Sequence, residues 1–232
     1  MISNRKTAII VGVLFLTATA TAMLGDSLVV SILNAPDYLI NLYPNRTQVI
    51  IGVLIAFIDA LAVVGIAVLL FPILKKQNES IALGYVGIRT AEFPILLVWL
   101  LSPLLLITLS QEYVKAGAPD ASSFQTLGAV LIAVRYWGIR WVWLFNGLAG
   151  LMFAYLLYQS KLIPRFLSVW GLIGYAVLLP GTLLDMLGHI DAQQGAAFVI
   201  VFLVGGLFEV PVLPIWLFVK GFSSSAIASE SA

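Results

Sequence analysis

The chain contains no cysteine in its 232 residues. That excludes disulfides, thiolate nucleophiles and iron–sulfur clusters, and it leaves the redox compartment open. Histidine is nearly as scarce, His189 being the only one. A single imidazole cannot supply the paired axial ligands of a membrane b-type haem or a convincing zinc site, so no cofactor and no metal centre is implied. Charged residues make up only 10% and nearly balance at net +1, which gives no reason to expect a nucleic-acid partner. No polar stretch is long enough to fold alone, so residues 1–222 are expected to form one domain.

What is present is apolar. Hydrophobic residues reach 61% and mean hydropathy is +1.06, where a soluble domain carries roughly 45–50% apolar and 25% charged residues. The expected fold class is therefore all-α, a polytopic membrane bundle of six transmembrane helices with the lipid bilayer as its first partner. The six apolar runs are Thr7–Val29, Thr47–Leu74, Ile81–Leu109, Gly128–Tyr158, Phe166–Leu187 and Ala196–Val219. Each can cross about 30 Å of hydrocarbon at about 1.5 Å per residue. Arg5-Lys6, the first run and Ala20-Thr-Ala22 imitate a secretory signal. The run continues past that site, so it is read as a span.

Lysine and arginine are distributed unevenly about these runs. Arg5, Lys6, Lys75, Lys76, Lys161, Arg165 and Lys220 fall on one side; Arg46, Lys115, Arg135 and Arg140 fall on the other. The positive-inside rule then puts both termini in the cytoplasm and the spans in the cell (plasma) membrane. Trp137, Trp141 and Trp143 cluster at the outer end of the fourth run, as an interfacial belt would. That side also carries Asp26, Asp37, Glu112, Asp120 and Asp191. Short inner loops, Lys75–Ser80 and Gln159–Arg165, imply helical hairpins. The longer outer loops, Gly25–Arg46 and Ser110–Gln125, hold turn signals that include Gly117-Ala-Pro-Asp120. The tail 223–232 is small and polar, and is expected to be disordered and cytoplasmic.

Pro94 and Pro103, Pro180, and Pro211 and Pro214 interrupt the third, fifth and sixth runs, and each frees a carbonyl that must find another donor. Around two of them the sequence repeats itself. Glu92-Phe-Pro-Ile-Leu-Leu-Val-Trp-Leu100 returns 117 residues later as Glu209-Val-Pro-Val-Leu-Pro-Ile-Trp-Leu217, with five of nine positions identical. Under the assigned topology the two copies run in opposite directions. That is the pattern of two inverted three-helix halves, 1–115 and 120–222, as in many transporters; chance similarity of apolar segments is the competing account.

The candidate site consists of Asp59, Arg89, Glu92 and Glu209. Counted from the cytoplasmic ends, Arg89 lies about 13 Å deep, Glu209 about 16 Å, Glu92 about 18 Å and Asp59 about 24 Å. An ionisable group at such depth costs about 2.5–3.5 kcal/mol to insert and normally has partners. One arginine can pair with one carboxylate, so the surplus acids must hold a cation or be protonated. This is the chemistry of a site for a small cation, a proton or a small solute. The bland account is a structural clasp in which Arg89 pairs with Glu209 or Asp59 to fix helix register. Arg140 and Asp185 fall near the headgroups and read as an interfacial pair or snorkelling groups. His189 reads as a solvated surface residue rather than a pH sensor. Gly84/Gly87, Gly147/Gly150 and Gly171/Gly174 read as close-packing surfaces. Neither a His-Glu-x-x-His pair nor a Gly-x-Ser-x-Gly elbow occurs, which argues against an enzyme.

Three stretches carry a resemblance over almost the whole chain. They are Leu70-Phe-Pro-Ile-Leu-Lys-Lys-Gln-Asn-Glu-Ser-Ile-Ala-Leu-Gly-Tyr-Val-Gly-Ile-Arg89, Gln159-Ser-Lys-Leu-Ile-Pro-Arg165-Phe-Leu, and Glu209 followed by Ile215-Trp-Leu-Phe-Val-Lys-Gly-Phe222. In these the chain resembles a bacterial membrane family catalogued as domain of unknown function 4386. The resemblance implies a six-helix integral membrane protein with an arginine at Arg89 and a glutamate at Glu209. It implies no activity, and it does not extend to Asp59 or to Glu92-Phe-Pro94. Two functional readings follow: a small cation- or proton-coupled transporter or channel-like protein, and a non-transporting sensor or assembly module whose charges clasp helices.

Overall fold

The computed structural model describes residues 4–117, 121–192 and 194–223. Asp120, most of the Gly117–Asp120 turn and all but Ser223 of the expected disordered tail lie outside the described residues. Helix α1 spans Asn4–Leu33, the single turn α2 Tyr38–Asn41, α3 Arg46–Leu74, α4 Glu79–Lys115, α5 Ala121–Ser160, α6 Arg165–Met186 and α7 Gly195–Val219. Six of them, all but α2, are long and apolar enough to cross a membrane. There is no strand among the described residues.

The apolar runs locate every span, yet most of the helices outlast them. Helix α1 continues to Leu33, into what the sequence reads as the loop Gly25–Arg46, and α4 continues to Lys115. The cause is local. In α1 the Ser27 and Ser31 hydroxyls donate to the carbonyls of Leu24 and Leu28 at 2.8 and 3.0 Å. A polar residue that can hydrogen-bond within its own helix need not end it. Helical hydrogen bonding therefore extends beyond the hydrophobic pattern that marks the bilayer core.

Large apolar side chains remain exposed on each span, among them Val13, Leu54, Leu101, Leu148, Ile173 and Ile215. A protein in water would bury such a shell; one in lipid presents it to acyl chains. The length, apolar character and exposed leucines together make this a multi-pass membrane protein. Trp137 and Trp141 are likewise exposed.

The chain divides into two compact units. The first comprises residues 1–17, 62–93 and 140–232; the second comprises 18–61 and 94–139. The first has its own core, in which Phe15, Leu70, Tyr85, Phe153, Leu157, Tyr175, Phe208 and Leu213 are buried. Its helices approach closely where glycine allows. A side chain on Gly174 of α6 would lie 2.5 Å from Gly205 Cα of α7, and one on Gly171 would lie 2.7 Å from the Phe208 ring. Gly147 and Gly150 of α5 face Leu179 and Tyr175 in the same way, and Gly84 faces Met152. Of the expected packing glycines only Gly87 has nothing within 4 Å.

The second unit is built on Val29, Leu42, Val49, Trp99 and Leu106. Ser110 donates to the Leu39 carbonyl at 2.6 Å and accepts from the Tyr43 amide at 2.9 Å, which ties the α2 turn to α4. Within this unit Arg135 pairs with Asp26, and its guanidinium lies 4.1 Å from the centre of the Trp99 ring.

Helix α7 departs from regular α-geometry. It contains two π-helical segments, Val199–Leu203 and Phe208–Val212, separated by an α-helical stretch, Val204–Leu207. The second holds Pro211, and Pro214 follows closely. Each proline lacks the N–H that the carbonyl four residues earlier would accept. A widened turn re-pairs the backbone one residue further on: the Leu213 amide reaches the Phe208 carbonyl, five residues back. In addition the Trp170 indole donates to the Val204 carbonyl at 2.9 Å, from α6.

Candidate functional site

Glu209 lies inside the second π segment of α7, beside the close approach of Gly174 and Gly205. Arg89 and Glu92 lie one helical turn apart on α4, where residues three apart share a face. These three groups meet within the first unit.

Arg89 is the hub. Its Nη1 donates to Glu92 Oε2 at 2.9 Å, its Nη2 donates to Asn146 Oδ1 of α5 at 3.0 Å, and the same Nη2 stands 3.8 Å from Glu209 Oε1. Burial is unequal: the Arg89 and Glu92 side chains are 5% and 3% exposed, Glu209 21%. One guanidinium therefore faces two carboxylates, one in direct contact and sealed, the other looser and partly open. Full ionisation would leave the cluster with one net negative charge.

Two tyrosines frame it. The Tyr85 ring, one turn before Arg89 on α4, lies 6.0 Å from the Arg89 Cζ. Tyr175 of α6 is close enough to Glu209 and Arg89 to interact with both electrostatically. Both side chains are buried, and their hydroxyls face the cluster, Tyr85 beside Arg89 and Tyr175 beside Glu209. They add two buried polar groups to the ion pairs, so the cluster is a connected polar network rather than an isolated pair. Sequence reasoning missed Tyr85, Tyr175 and Asn146. Asn146 had a legible cue, as an amide amid the apolar fourth run. The tyrosines had none, because aromatic residues are ordinary core material.

Asp59 does not join this cluster as a member of the same unit. It sits half-buried on α3 in the second unit and is engaged in an interaction of its own. Among the described residues no three acidic or histidine side chains come together as a metal site would require.

A second pair is buried within the protein. Arg140 Nε and Asp185 Oδ2 are 2.7 Å apart with both side chains only 2% exposed, so they pair, as expected. Asp185 Oδ1 also accepts the Ala192 amide at 3.0 Å, which folds the segment after α6 back over the pair. His189 is exposed in that segment.

No curated protein and no solved structure matches the chain. A family model does match it over residues 10–221, nearly its full length. The chain is thus a member of the family described as Domain of unknown function (DUF4386).

Proposed function

We propose that this protein is a small cation- or proton-coupled transporter or channel-like protein whose polar centre is Arg89, Glu92 and Glu209. The observation that carries the reading is the unequal sharing of Arg89 between its two carboxylates. Glu92 is saturated by a direct, sealed ion pair. Glu209 is loosely held, partly exposed and mounted on a π segment, a geometry that recurs at functional sites. A proton or small cation arriving at Glu209 would neutralise the surplus charge and loosen its hold on Arg89. Asp59 is proposed as a second acidic station in the other unit.

The same reading takes the spans to lie in the plasma membrane with both termini cytoplasmic, on the count of lysine and arginine. It takes Glu92-Phe-Pro94 and Glu209-Val-Pro211 as counterparts in two inverted halves. The counterparts have diverged in local geometry, since Glu92 lies in regular α-helix and Glu209 in a π segment.

The second reading, a non-transporting sensor or assembly module, is favoured by the Arg140–Asp185 pair, which is as buried as Arg89–Glu92 and has an evident structural task. Reconstitution into liposomes separates the two. With an imposed pH or cation gradient and a trapped indicator dye, transport predicts dye response with the wild type and its loss with Glu209→Gln. Equal silence from both, together with a melting temperature indifferent to pH and cations, would leave the clasp as the function of these charges.

A further inference from the structure

At the end of the first unit where α5 passes into α6, the chain forms an open pocket of about 470 Å³. Its lining comes from two of the stretches on which the family resemblance rests. Lys161, Leu162, Ile163, Pro164 and Arg165 form one wall; Trp216, Lys220, Gly221 and Ser223 form the other. Three of these residues are cationic and exposed, and among the described residues none of the three is in an ion pair. Arg5 is nearby but its guanidinium is taken by the Leu217 and Phe218 carbonyls at the end of α7.

Two local features work against the fold's own interest here. Arg165 is the first residue of the 22-residue helix α6, whose N-cap, Pro164, offers no side-chain acceptor. A cation at that end adds to the positive end of the helix dipole and to its unpaired amides, where an anion is preferred. Lys161 holds φ at 54°, the only described residue other than glycine in the left-handed region. Glycine is the usual occupant of such a position after a helix. The lysine in left-handed backbone and the arginine, whose guanidinium lies 5.5 Å from the Tyr158 ring, together with Lys220 gather positive charge around the pocket. The accessible wall between the cations is apolar, formed by Pro164 and the Trp216 ring over the buried Leu162 and Ile163.

We propose that this pocket binds the phosphate headgroup of an anionic membrane lipid. Lys161, Lys220 and Arg165 face the phosphate together with the open amides of α6, and the glycerol and first acyl carbons lie against Pro164 and Trp216. A basic pocket between membrane helices with greasy walls fits an amphiphile better than free phosphate, which would have no use for the apolar lining. Occupancy relieves the like-charge crowding at Arg165 and ties the α5–α6 hairpin to the end of α7.

The test uses the full chain, purified in neutral detergent and mixed with dioleoyl phosphatidylglycerol or dioleoyl phosphatidylcholine. Native mass spectrometry reads the lipid retained. The wild type is expected to hold the anionic lipid about tenfold more tightly than the zwitterionic one, since each basic residue near a membrane surface contributes measurably to such binding. Lys161→Gln/Lys220→Gln should reduce that preference below about twofold, whereas Lys75→Gln/Lys76→Gln, equally basic but outside the pocket, should keep it. Lys161→Gly, which relieves the backbone while removing the cation, supplies a folded variant in which the preference should also fall. No preference in the wild type, or equal loss in the Lys75/Lys76 control, overturns the proposal. A separate arm adds inorganic phosphate alone: thermal stabilisation of the wild type by phosphate, without any lipid preference, would make this a soluble-anion site and overturn the lipid assignment.

Discussion

Arg89 Nη2 and Glu209 Oε1 stand 3.8 Å apart, close enough for an ion pair and too far for a hydrogen bond. The same guanidinium holds Glu92 at 2.9 Å. Of the two carboxylates, Glu209 is thus the one less tightly held by Arg89.

Glu209→Gln should therefore be tolerated, with a stability change within about 1 kcal/mol, while weakening any stabilisation by added cations. Glu92→Gln should behave differently. It removes the sealed partner of a buried arginine, a change that costs about 3–5 kcal/mol where a buried pair is broken. Thermal melts of both variants across pH check the contrast, and equal losses would sink it.

The buried Tyr175 hydroxyl faces Glu209. Removing one partner of a buried hydrogen bond costs about 0.5–1.5 kcal/mol, so Tyr175→Phe should lower stability by about that much. If it also lowers ion flux in liposomes, the hydroxyl serves the site as well as the fold. Unchanged stability in thermal melts would show that the hydroxyl holds nothing.

Arg140 and Asp185 should couple strongly. Arg140→Met and Asp185→Asn each strand one buried charge and should each cost about 3–5 kcal/mol. The double variant is neutral and retains an amide oxygen for the Ala192 N–H, so it should recover about 2–3 kcal/mol relative to additivity. A double-mutant cycle in detergent measures this directly, and additive losses would mean that the pair is not a unit.

The Gly174–Gly205 crossing is asymmetric. A methyl on Gly174 would lie 2.5 Å from Gly205 Cα, whereas a methyl on Gly205 meets nothing closer than 3.4 Å. Gly174→Ala should cost about 1–3 kcal/mol through overpacking. Gly205→Ala should be nearly neutral, because the gain in helix propensity, about 1 kcal/mol, offsets a tight contact. Equal effects at the two positions would contradict the packing described.

The spans and the need of Arg89 for an acidic partner are readable from sequence for a physical reason. Lipid forces long uninterrupted apolar helices, and a lone deep arginine needs an acid, with few to choose from. The burial of Arg140 is not legible in the apolar pattern, because the segment after α6 closes over its pair with Asp185. Asp59 is placed beside the others by depth along its helix, a measure that carries no information about contacts. The π segments were half legible. Pro211 announced a break, but nothing in Val199–Leu203 announces the first one, and no cause for it is apparent.

Those two segments give α7 a property that a straight helix lacks. Each π turn contains one more residue than an α turn, so the four residues between them, Val204–Leu207, are bounded by a spare residue at either end. If one widened turn passes its extra residue along the helix, the residues it crosses swivel by about 100° and advance by about 1.5 Å while the ends of the span stay fixed. Glu209 sits within one of the turns, and Gly205, the contact with α6, sits between them. The last helix is thereby jointed in the middle, and its joint carries the loosely held carboxylate.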